Sequence, residues 1–354
     1  MKKFRVALLA NLKVNAPTFE GMPEDQWDDL DNEKTVEVLL EALRSAGHTC
    51  EFIEGNSSLI DQLTLFKPDI CFNICEGHFG DSREAQVPAV LEMMRIPYTG
   101  SRVMTLALSL DKPMTKRIFH WHELPTPTFQ TFERVDESLN DDLKFPLFAK
   151  PSREGTGMGV TGKSIIRNED ELREQVAYIL ARYKQPALVE SYIEGREVTV
   201  GVIGNLIGPV ARRLPDDEES PRIQAGLRFL PPMEVNLEPF KQTDVVYSNR
   251  LKVELAEDLD YLCPAPLDRD MVEELNWLTA AVFRVTGALD VSRVDFRLDM
   301  HDNLKPYILE INPLPGLAPG YSDLVIEAQA EGISHAKLVN MILDAALKRY
   351  GMIQ

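Results

Sequence analysis

Acidic and amide side chains recur at short intervals in the segment 292–313, near the end of the chain. Two strand-like runs flank a polar turn in this segment. Strand side chains alternate between two faces, so Asp295 shares a face with Arg293, and Glu310 shares a face with Asn312. Mg²⁺ takes its oxygen ligands from protein, phosphate and water, and this donor set suits it. The pattern indicates either a metal–phosphate site or an ordinary hairpin with a solvated polar face.

The register of this hairpin determines how far apart the two carboxylates lie. If Asp299 and Leu304 bracket the turn, Asp295 pairs with Ile308 and lies diagonal to Glu310. Diagonal neighbours on one face of an antiparallel pair lie roughly 7–8 Å apart. We therefore expect both carboxylates to reach one shared ligand.

A glycine-rich loop follows a predicted strand in the middle of the chain. Lys150 ends the strand, and Gly155, Gly157 and Gly159 occupy alternate positions after it. Glycines let backbone N–H groups approach an anion closely, and the lysine adds a point charge. The loop lacks the Walker A ending, and no helix follows it directly, so it is neither a P-loop nor a dinucleotide fingerprint. It indicates a phosphate-binding loop, with a flexible hairpin tip as the alternative.

Two further polar segments lie beside predicted strands. Glu190 and Glu197 flank an apolar linker, which suits a purine and its ribose. Taken alone, such a segment is more often a solvated interdomain linker. Glu76 and His78 follow a predicted strand at the sheet edge where open α/β sheets bind ligands. For His78 we favour an ordinary loop histidine.

The bulk composition excludes some classes of partner. At 354 residues the chain suits two or three domains, and its 44% hydrophobic and 27% charged residues are typical of globular proteins. Its formal charge of −18 argues against nucleic acid and anionic membranes, because both need a basic footprint. An anionic small ligand in a locally basic cleft remains compatible.

The terminal and cysteine patterns favour the cytoplasm. The first apolar run is too short for a signal peptide, and no stretch is long enough for a membrane span. The cysteines lack zinc-site spacing and are expected to be buried thiols of a reducing compartment: Cys50, Cys71, Cys75 and Cys263.

Hydrophobic periodicity predicts three structural units. Residues 1–110 alternate strands and helices, which predicts a parallel sheet covered by helices. Residues 111–193 contain the glycine-rich loop, and residues 194–354 contain the hairpin. The predicted strands are 4–10, 50–54, 68–75, 145–150, 187–192 and 197–203, and the predicted helices are 33–46, 85–95, 114–122, 170–183, 269–286 and 334–350.

In their order along the chain, these motifs resemble those of ATP-grasp ligases, most closely the D-alanine–D-alanine ligase family. The similar segments are 72–77, 96–101, 110–116, 150–155, 261–265, 293–295 and 310–316. The resemblance implies an α/β fold (α+β in places): an ATP-grasp fold with an N-terminal open parallel α/β domain. It implies an enzyme that joins a carboxylate to an amine through an acyl phosphate. ATP, two Mg²⁺ ions (or Mn²⁺), small amino-acid or peptide substrates and a homodimer are also implied.

The resemblance also implies roles for individual residues. Those for the nucleotide are Lys112, Lys150, Gly155 and Gly157 for phosphates, Glu190, Tyr192 and Ile193 for adenine, and Glu197 for ribose. Those for the metals and the chemistry are Asp295, Glu310 and Asn312 for Mg²⁺, Arg293 for the oxyanion, Lys252 for the γ-phosphate and Thr156 in place of a serine. Residues 215–261 would form a lid that excludes water from the acyl phosphate.

The amino-acid-binding half departs from the family pattern. The family's N-terminal glutamate segment is replaced by an acidic loop at 11–33, in which four carboxylates are candidates for the substrate ammonium: Asp28, Asp29, Asp31 and Glu33. Glu76 stands where the family has a histidine. Beside Gly316, the serine that binds the second substrate's carboxylate aligns with Tyr321 or Ser322.

These departures leave several hypotheses. The first is ligation of D-alanine to D-alanine, and the second is the same chemistry on other amino acids or a peptide. A non-catalytic ATP-binding module is disfavoured because the phosphate lysines and metal ligands are all present. A nicotinamide-dependent oxidoreductase is disfavoured because no glycine fingerprint follows the first strand.

Overall fold

A computed structural model of the protein describes residues 2–214, 222–236 and 260–354. Most of the predicted lid, including Lys252, lies outside the described residues. The described helices are α1 (Glu33–Ser45), α2 (Leu59–Phe66), α3 (Gln86–Met94), α4 (Val103–Leu110), α5 (Lys112–Trp121), α6 (Glu169–Tyr183), α7 (Arg269–Thr286), α8 (Asp323–Ala330) and α9 (His335–Arg349). None of these helices combines the length and the apolar composition needed to cross a bilayer.

The strands of the described part fall into three sheets. They are β1 (Arg5–Ala10), β2 (Thr49–Glu54), β3 (Ile70–Asn73), β4 (Phe129–Phe132), β5 (Leu147–Pro151), β6 (Ile165–Ile166), β7 (Ala187–Ser191), β8 (Gly195–Gly204), β9 (Ile223–Gln224), β10 (Leu227–Phe229), β11 (Met233–Asn236), β12 (Asp260–Leu262), β13 (Asp290–Asp299) and β14 (Lys305–Asn312).

The first sheet is parallel, in the order β2-β1-β3, as its strand–helix alternation predicts. Adjacent residues of β1 point to opposite faces. Leu8 packs in one core cluster with Leu39 of α1, and Leu9 packs in another with Leu63 of α2 and Leu91 of α3. Helices therefore cover both faces, and the C-terminal ends of the strands stay open toward the rest of the molecule.

The second sheet is antiparallel, in the order β4-β7-β5-β6, and packs on α6. Its strand β5 ends at the predicted glycine-rich loop. The third sheet is built around β8, which pairs with β13 along its whole length and with β10 and β11 on its other side. Helix α7 covers this sheet, with Phe283 packed against Val200 and Phe296.

The expected hairpin register is wrong, and the structure brings the two carboxylates closer together. Asp299 pairs with Lys305, so the turn is longer than expected, and a β-bulge follows Asp295. As a result Asp295 pairs directly with Glu310, because Leu309 is the extra residue of the bulged strand. Directly opposed side chains lie roughly 4.5–5.5 Å apart at Cβ, closer than the diagonal arrangement.

The C-terminal helices close the chain against its beginning. Val339 and Leu343 of α9 pack with Leu39 and Leu43 of α1 in one core cluster. The three sheets fall within the three predicted units, but this packing crosses between the first and the last of them. The boundaries at 110 and 193 therefore stay predictions.

The expectation that the cysteines are buried is wrong for two of them. All four are free thiols, and Cys71 and Cys75 are buried. Cys50 and Cys263 are only half-buried, because they lie on or next to the edge strands β2 and β12.

Candidate functional site

Two adjoining cavities lie where the three sheets meet. The first includes, among its lining residues, Lys112, Lys150, Thr156, Gly157, Glu197, Arg293, Asp295, Arg297, Glu310 and Asp323. The second includes Asp29, Glu76, Glu84, Lys112, Gly155, Thr156, Arg293, Asn312, Gly316, Tyr321, Ser322 and Asp323. Four residues line both: Lys112, Thr156, Arg293 and Asp323. The fold thus gathers residues predicted for the nucleotide, the metals and the substrate around one junction.

Two lysines and Glu310 form the electrostatic centre of the first cavity. Glu310 lies 3.5 Å from Lys112 Nζ and 3.9 Å from Lys150 Nζ. Burial would raise the Glu310 pKa, but Lys112 and Lys150 outweigh burial and hold that pKa at about 2. Glu310 is therefore ionised and lies between two cations, which come from different elements of the fold. These two cations can bind phosphate oxygens.

Lys116 is a buried partner that sequence reasoning did not single out. It lies one turn after Lys112 on α5 and is fully buried, with its Nζ 2.5 Å from Glu190. Lys150 lies 3.1 Å from the same carboxylate. Burial alone would raise the Glu190 pKa, but these two lysines lower it below its ordinary value. The i,i+4 spacing of Lys112 and Lys116 was the available signal, since it places both side chains on one helix face.

The residues predicted for adenine do not themselves line the first cavity within the described chain. Glu190 reaches it through Lys150, and Tyr192 stacks on Phe148, which does line it, with ring centroids 6.3 Å apart. Ile193 follows in the same connection between β7 and β8. The assigned adenine contacts stay predictions.

The predicted ribose carboxylate does line the first cavity. Glu197 lies 2.9 Å from Arg297 of the neighbouring strand, with which it pairs in the sheet. This ion pair fixes the carboxylate at the cavity wall.

The glycine-rich loop has the backbone conformation that its composition indicates. Thr156, Gly157 and Gly159 all have φ between +53° and +75°. For a β-branched threonine this left-handed conformation is strained, and strain of this kind concentrates at functional sites. The Gly159 N–H donates to Asp25 Oδ2 at 2.8 Å, so the acidic loop at 11–33 anchors the glycine-rich loop.

Gly159→Ala is expected to lower the free energy of unfolding by about 1 kcal/mol or more. Its φ is +75°, and an added Cβ would lie 2.5 Å from Pro151 Cγ. The matched control is Gly155→Ala, because a Cβ there meets nothing within 4 Å. Urea denaturation of both variants provides the measurement, and equal midpoints would contradict the prediction.

The hairpin carboxylates are held by charged and amide partners. Arg293 contacts Asp295 through two hydrogen bonds of 2.8 Å and lies 3.0 Å from Asp323. The Asn312 amide donates to Asp295 Oδ2 at 2.8 Å. Asp323 is a second residue that the sequence did not single out; it begins α8 directly after Ser322.

This donor set fits a magnesium ion that also binds phosphate. Asp295 and Glu310 face each other across the hairpin, Asn312 lies beside them, and Glu310 is ionised. Among the described residues, no cluster of three or more acidic, histidine or cysteine side chains is arranged to hold a metal ion by itself. Mg²⁺ usually takes only one or two carboxylates and completes its shell with phosphate and water, so two carboxylates suffice.

Of the four candidate carboxylates in the acidic loop, Asp29 lines the second cavity. Asp28 pairs with Lys13, and Glu33 is an exposed residue at the start of α1. Asp31 is half-buried, and burial first, then the nearby charge of Asp29, raises its pKa to about 7. Asp29 is the candidate that the structure places at the substrate site.

The residues predicted to bind a second substrate's carboxylate differ in exposure. Ser322 Oγ accepts a hydrogen bond from the Ala318 N–H at 3.0 Å, whereas Tyr321 is 39% exposed. Gly316 lies beside Ser322, and all three residues line the second cavity. Their binding roles stay predictions.

The ligand-free protein is expected to lose stability as pH rises from about 5 to about 8. Burial raises the pKa values of Asp31 and Glu84 to about 7, and it raises that of Glu76 well above its ordinary value. The folded state therefore keeps protons that the unfolded chain releases near its ordinary pKa values of 3.8 and 4.5. Stabilisation by these groups is present at low pH and disappears as pH passes the folded-state values.

Urea denaturation at several pH values would check this expectation. The urea concentration at the unfolding midpoint should decrease as pH rises from about 5 to about 8. The lowered pKa values of Glu190 and Glu310 act in the opposite sense, but below this window. Burial also lowers the pKa values of His48 and His78, which oppose the trend up to about pH 6.5, but the three raised carboxyl groups outnumber them. A midpoint that rises over the window would contradict the prediction.

Comparison with known proteins gives consistent matches along the chain. The family described as D-ala D-ala ligase C-terminus matches residues 118–217 and 233–344. A D-alanine–D-alanine ligase of Methylibium petroleiphilum is 33% identical over 315 residues, which cover 87% of this chain and 88% of that one. An uncharacterized protein of Sinorhizobium fredii, y4sG, is 32% identical over 328 residues, which cover 90% and 88%. A crystal structure of the Bacillus anthracis D-alanine–D-alanine ligase complexed with ATP has a TM-score of 0.71 at 20% identity and covers 99% of both chains.

The parallel first sheet and the two antiparallel sheets that enclose the first cavity define the ATP-grasp fold, and the structural match confirms that prediction. The sequence matches are more specific, because they exceed 30% identity over most of both chains. The chain belongs to the D-alanine–D-alanine ligase family.

Proposed function

We propose that the protein is an ATP-dependent carboxylate–amine ligase. The observation that carries this proposal is the position of Lys112, which lines both cavities, in contact with Glu310, which also lies beside Lys150 in the first cavity. One cavity carries the phosphate-binding groups, and the other carries the polar groups suited to small substrates. The curated relatives named D-alanine–D-alanine ligase support the same activity.

The phosphoryl-transfer half of the reaction takes place at this junction. A substrate carboxylate oxygen attacks the γ-phosphorus of ATP, the bond to the β-phosphate oxygen breaks, and ADP leaves. Lys112 and Lys150 offset the negative charge that spreads over the transferred group. Asp295, Glu310 and Asn312 would hold Mg²⁺, which offsets phosphate charge when bound.

The ligation half requires an amine at the second cavity. The amine attacks the acyl carbon, phosphate departs with the bonding electron pair, and the amine loses a proton. Arg293 lines both cavities and would stabilise the oxyanion of the tetrahedral intermediate. Its contacts with Asp295 and Asp323 orient its guanidinium group at this place.

D-Alanine is the substrate that the relatives' names favour for both positions. A second candidate is the same chemistry on other amino acids or a peptide, and it is supported by Glu76 and Asp29 in the substrate cavity. A homodimer, a cytoplasmic location and the domain boundaries at 110 and 193 belong to the same proposal.

ATP-dependent phosphate release by the purified full-length protein tests the activity. We expect phosphate release to require Mg²⁺ and to rise when an amino acid is added, with ADP and a peptide as mass-identified products. Hydroxylamine added with a single amino acid should trap the acyl phosphate as a hydroxamate. The proposal is wrong if nucleotide binds but no amino acid of either chirality stimulates phosphate release.

A further inference from the structure

One end of the second cavity carries an excess of carboxylates. We call Asp29, Glu76 and Glu84 the acidic wall; all three line the cavity. Glu84 is 8% exposed and the Asp29 side chain is 5% exposed. Asp29 and Glu84 are therefore largely withdrawn from bulk solvent, and Glu76 is half-buried. In this setting their charges are costly without a counter-charge.

Too few cations neutralise the acidic wall. The Arg83 guanidinium lies 2.7 Å from Asp29 and 3.4 Å from Glu154, so it is shared between two carboxylates. Lys112 lines the same cavity, but its Nζ contacts Glu310 and donates to the Glu154 carbonyl. Arg293 also lines the cavity, but it pairs with Asp295 and Asp323. Glu76 and Glu84 therefore add two carboxylates that these three cations do not neutralise.

Asp29 has unused hydrogen-bonding capacity at the wall. Its Oδ2 accepts from Arg83 at 2.7 Å, whereas its buried Oδ1 has no hydrogen-bond partner among the described residues. A buried acceptor without a partner is costly and marks a place where a donor is expected. The donor that fits this wall is positively charged.

We propose that the acidic wall binds a cationic group of the substrate, so that the enzyme prefers an amino acid with an ammonium or guanidinium side chain. This inference rests on the proposed ligase function. An ordinary α-amino acid offers a single ammonium, and one carboxylate is enough to bind it. The three carboxylates of the wall provide for a second positive charge.

Two observations agree with an organic cation as the occupant. Within the part of the chain that the structure describes, these carboxylates do not form a metal-binding cluster. Burial, followed by the neighbouring acids, raises the pKa of Glu76, and burial also raises that of Glu84 despite Arg83. An approaching cation reverses this penalty, because it stabilises the ionised forms.

Matched substrate pairs test the inference in the phosphate-release assay. Lysine is compared with norleucine, ornithine with norvaline, and arginine with citrulline, each in both chiralities and with the holoenzyme, ATP and Mg²⁺. We expect kcat/KM to be at least about tenfold higher for the cationic member of at least one pair, because a buried charged contact discriminates by that factor or more. Equal values, or a preference for the neutral member in all pairs, would overturn the inference.

Two variants test whether the acidic wall causes the preference for cationic substrates. Glu84→Gln removes one charge at constant shape and should reduce the cationic preference, measured as the ratio of kcat/KM for the two members of a pair, by roughly tenfold. Glu76→Gln is the second variant, used if Glu84→Gln does not fold. The control Glu174→Gln changes an exposed carboxylate that pairs with Lys163, and it should leave the preference unchanged. A preference retained in both wall variants would overturn the assignment.

The failure of this inference can be told apart from failure of the proposed function. If neutral amino acids stimulate phosphate release and cationic ones do so no better, the ligase proposal holds and the cation preference is wrong. If neither class stimulates release although nucleotide binds, the ligase proposal is wrong and the inference falls with it.

Discussion

Glu310→Gln is expected to lower kcat for ATP-dependent phosphate release by roughly 10²–10³-fold. The glutamine keeps the shape of the side chain but removes the charge that lies between Lys112 and Lys150. It also removes one of the two carboxylates proposed to hold Mg²⁺. Both effects misplace the positive charge that is needed when negative charge spreads over the transferred phosphate in the transition state. We therefore expect a larger loss in kcat than in the nucleotide affinity measured without Mg²⁺.

The measurement pairs steady-state kinetics with nucleotide binding in the presence and absence of Mg²⁺. The variant should lose the Mg²⁺-dependent part of its affinity. Its unfolding midpoint is measured alongside, because the loss of the charge between Lys112 and Lys150 also lowers stability. Glu194→Gln is the matched control, because that carboxylate lies near the hairpin tip, is 63% exposed and pairs with His301. A Glu310 variant with the wild-type kcat would exclude the carboxylate from the proposed metal site.

The sequence predicted the long, strongly periodic elements well. Helix α7 has the predicted bounds, and α1 and α9 differ from the predicted bounds by only a residue at either end. Helices α2, α4 and α8 were not predicted, and each is only eight residues long. Helices of that length are marginal in isolation and depend on tertiary packing, which periodicity alone does not reveal.

The types of residue at the site could be predicted from the sequence, whereas the pairing of the two carboxylates could not. Lys150 before the glycines and Asp295 with Glu310 follow from residue type and spacing. The direct pairing of the two carboxylates depends on the bulge at Leu309, and no local signal in the hairpin sequence marks it. Register is set by the whole sheet, including the full-length pairing of β13 with β8.

The acidic wall is a second feature that could not be predicted from the sequence. Asp29 and Glu84 are far apart in the chain and belong to ordinary acidic and helical segments. They meet because a loop after β1 and a turn after β3 both leave the parallel sheet at its C-terminal edge. Residue type and spacing do not distinguish Asp29 from the other three acids of the loop. Its position in the second cavity, in contact with Arg83, does.

Arg349→Met is expected to reduce the free energy of unfolding by about 3–5 kcal/mol, because it leaves a buried charge without its partner. Asp290 is fully buried, and both of its oxygens accept from Arg349, at 3.0 Å and 2.7 Å. Arg349 also donates to the Tyr98 carbonyl at 2.9 Å, and the Gly100 N–H donates to Asp290. The pair thus joins the end of α9 and the start of β13 to the first unit of the chain.

Urea denaturation of three variants distinguishes the contribution of the ion pair to stability from that of the surrounding contacts. Lys348→Met is the control, because Lys348 is exposed on the same turn of α9 and should change the midpoint little. The double variant Asp290→Asn with Arg349→Met should recover part of the loss, since the remaining amide carries no charge to desolvate. If Arg349→Met is no more destabilising than Lys348→Met, the buried pair does not hold the C-terminal helix against the first unit. The core contacts of Leu343 and Val339 with α1 would then be sufficient by themselves.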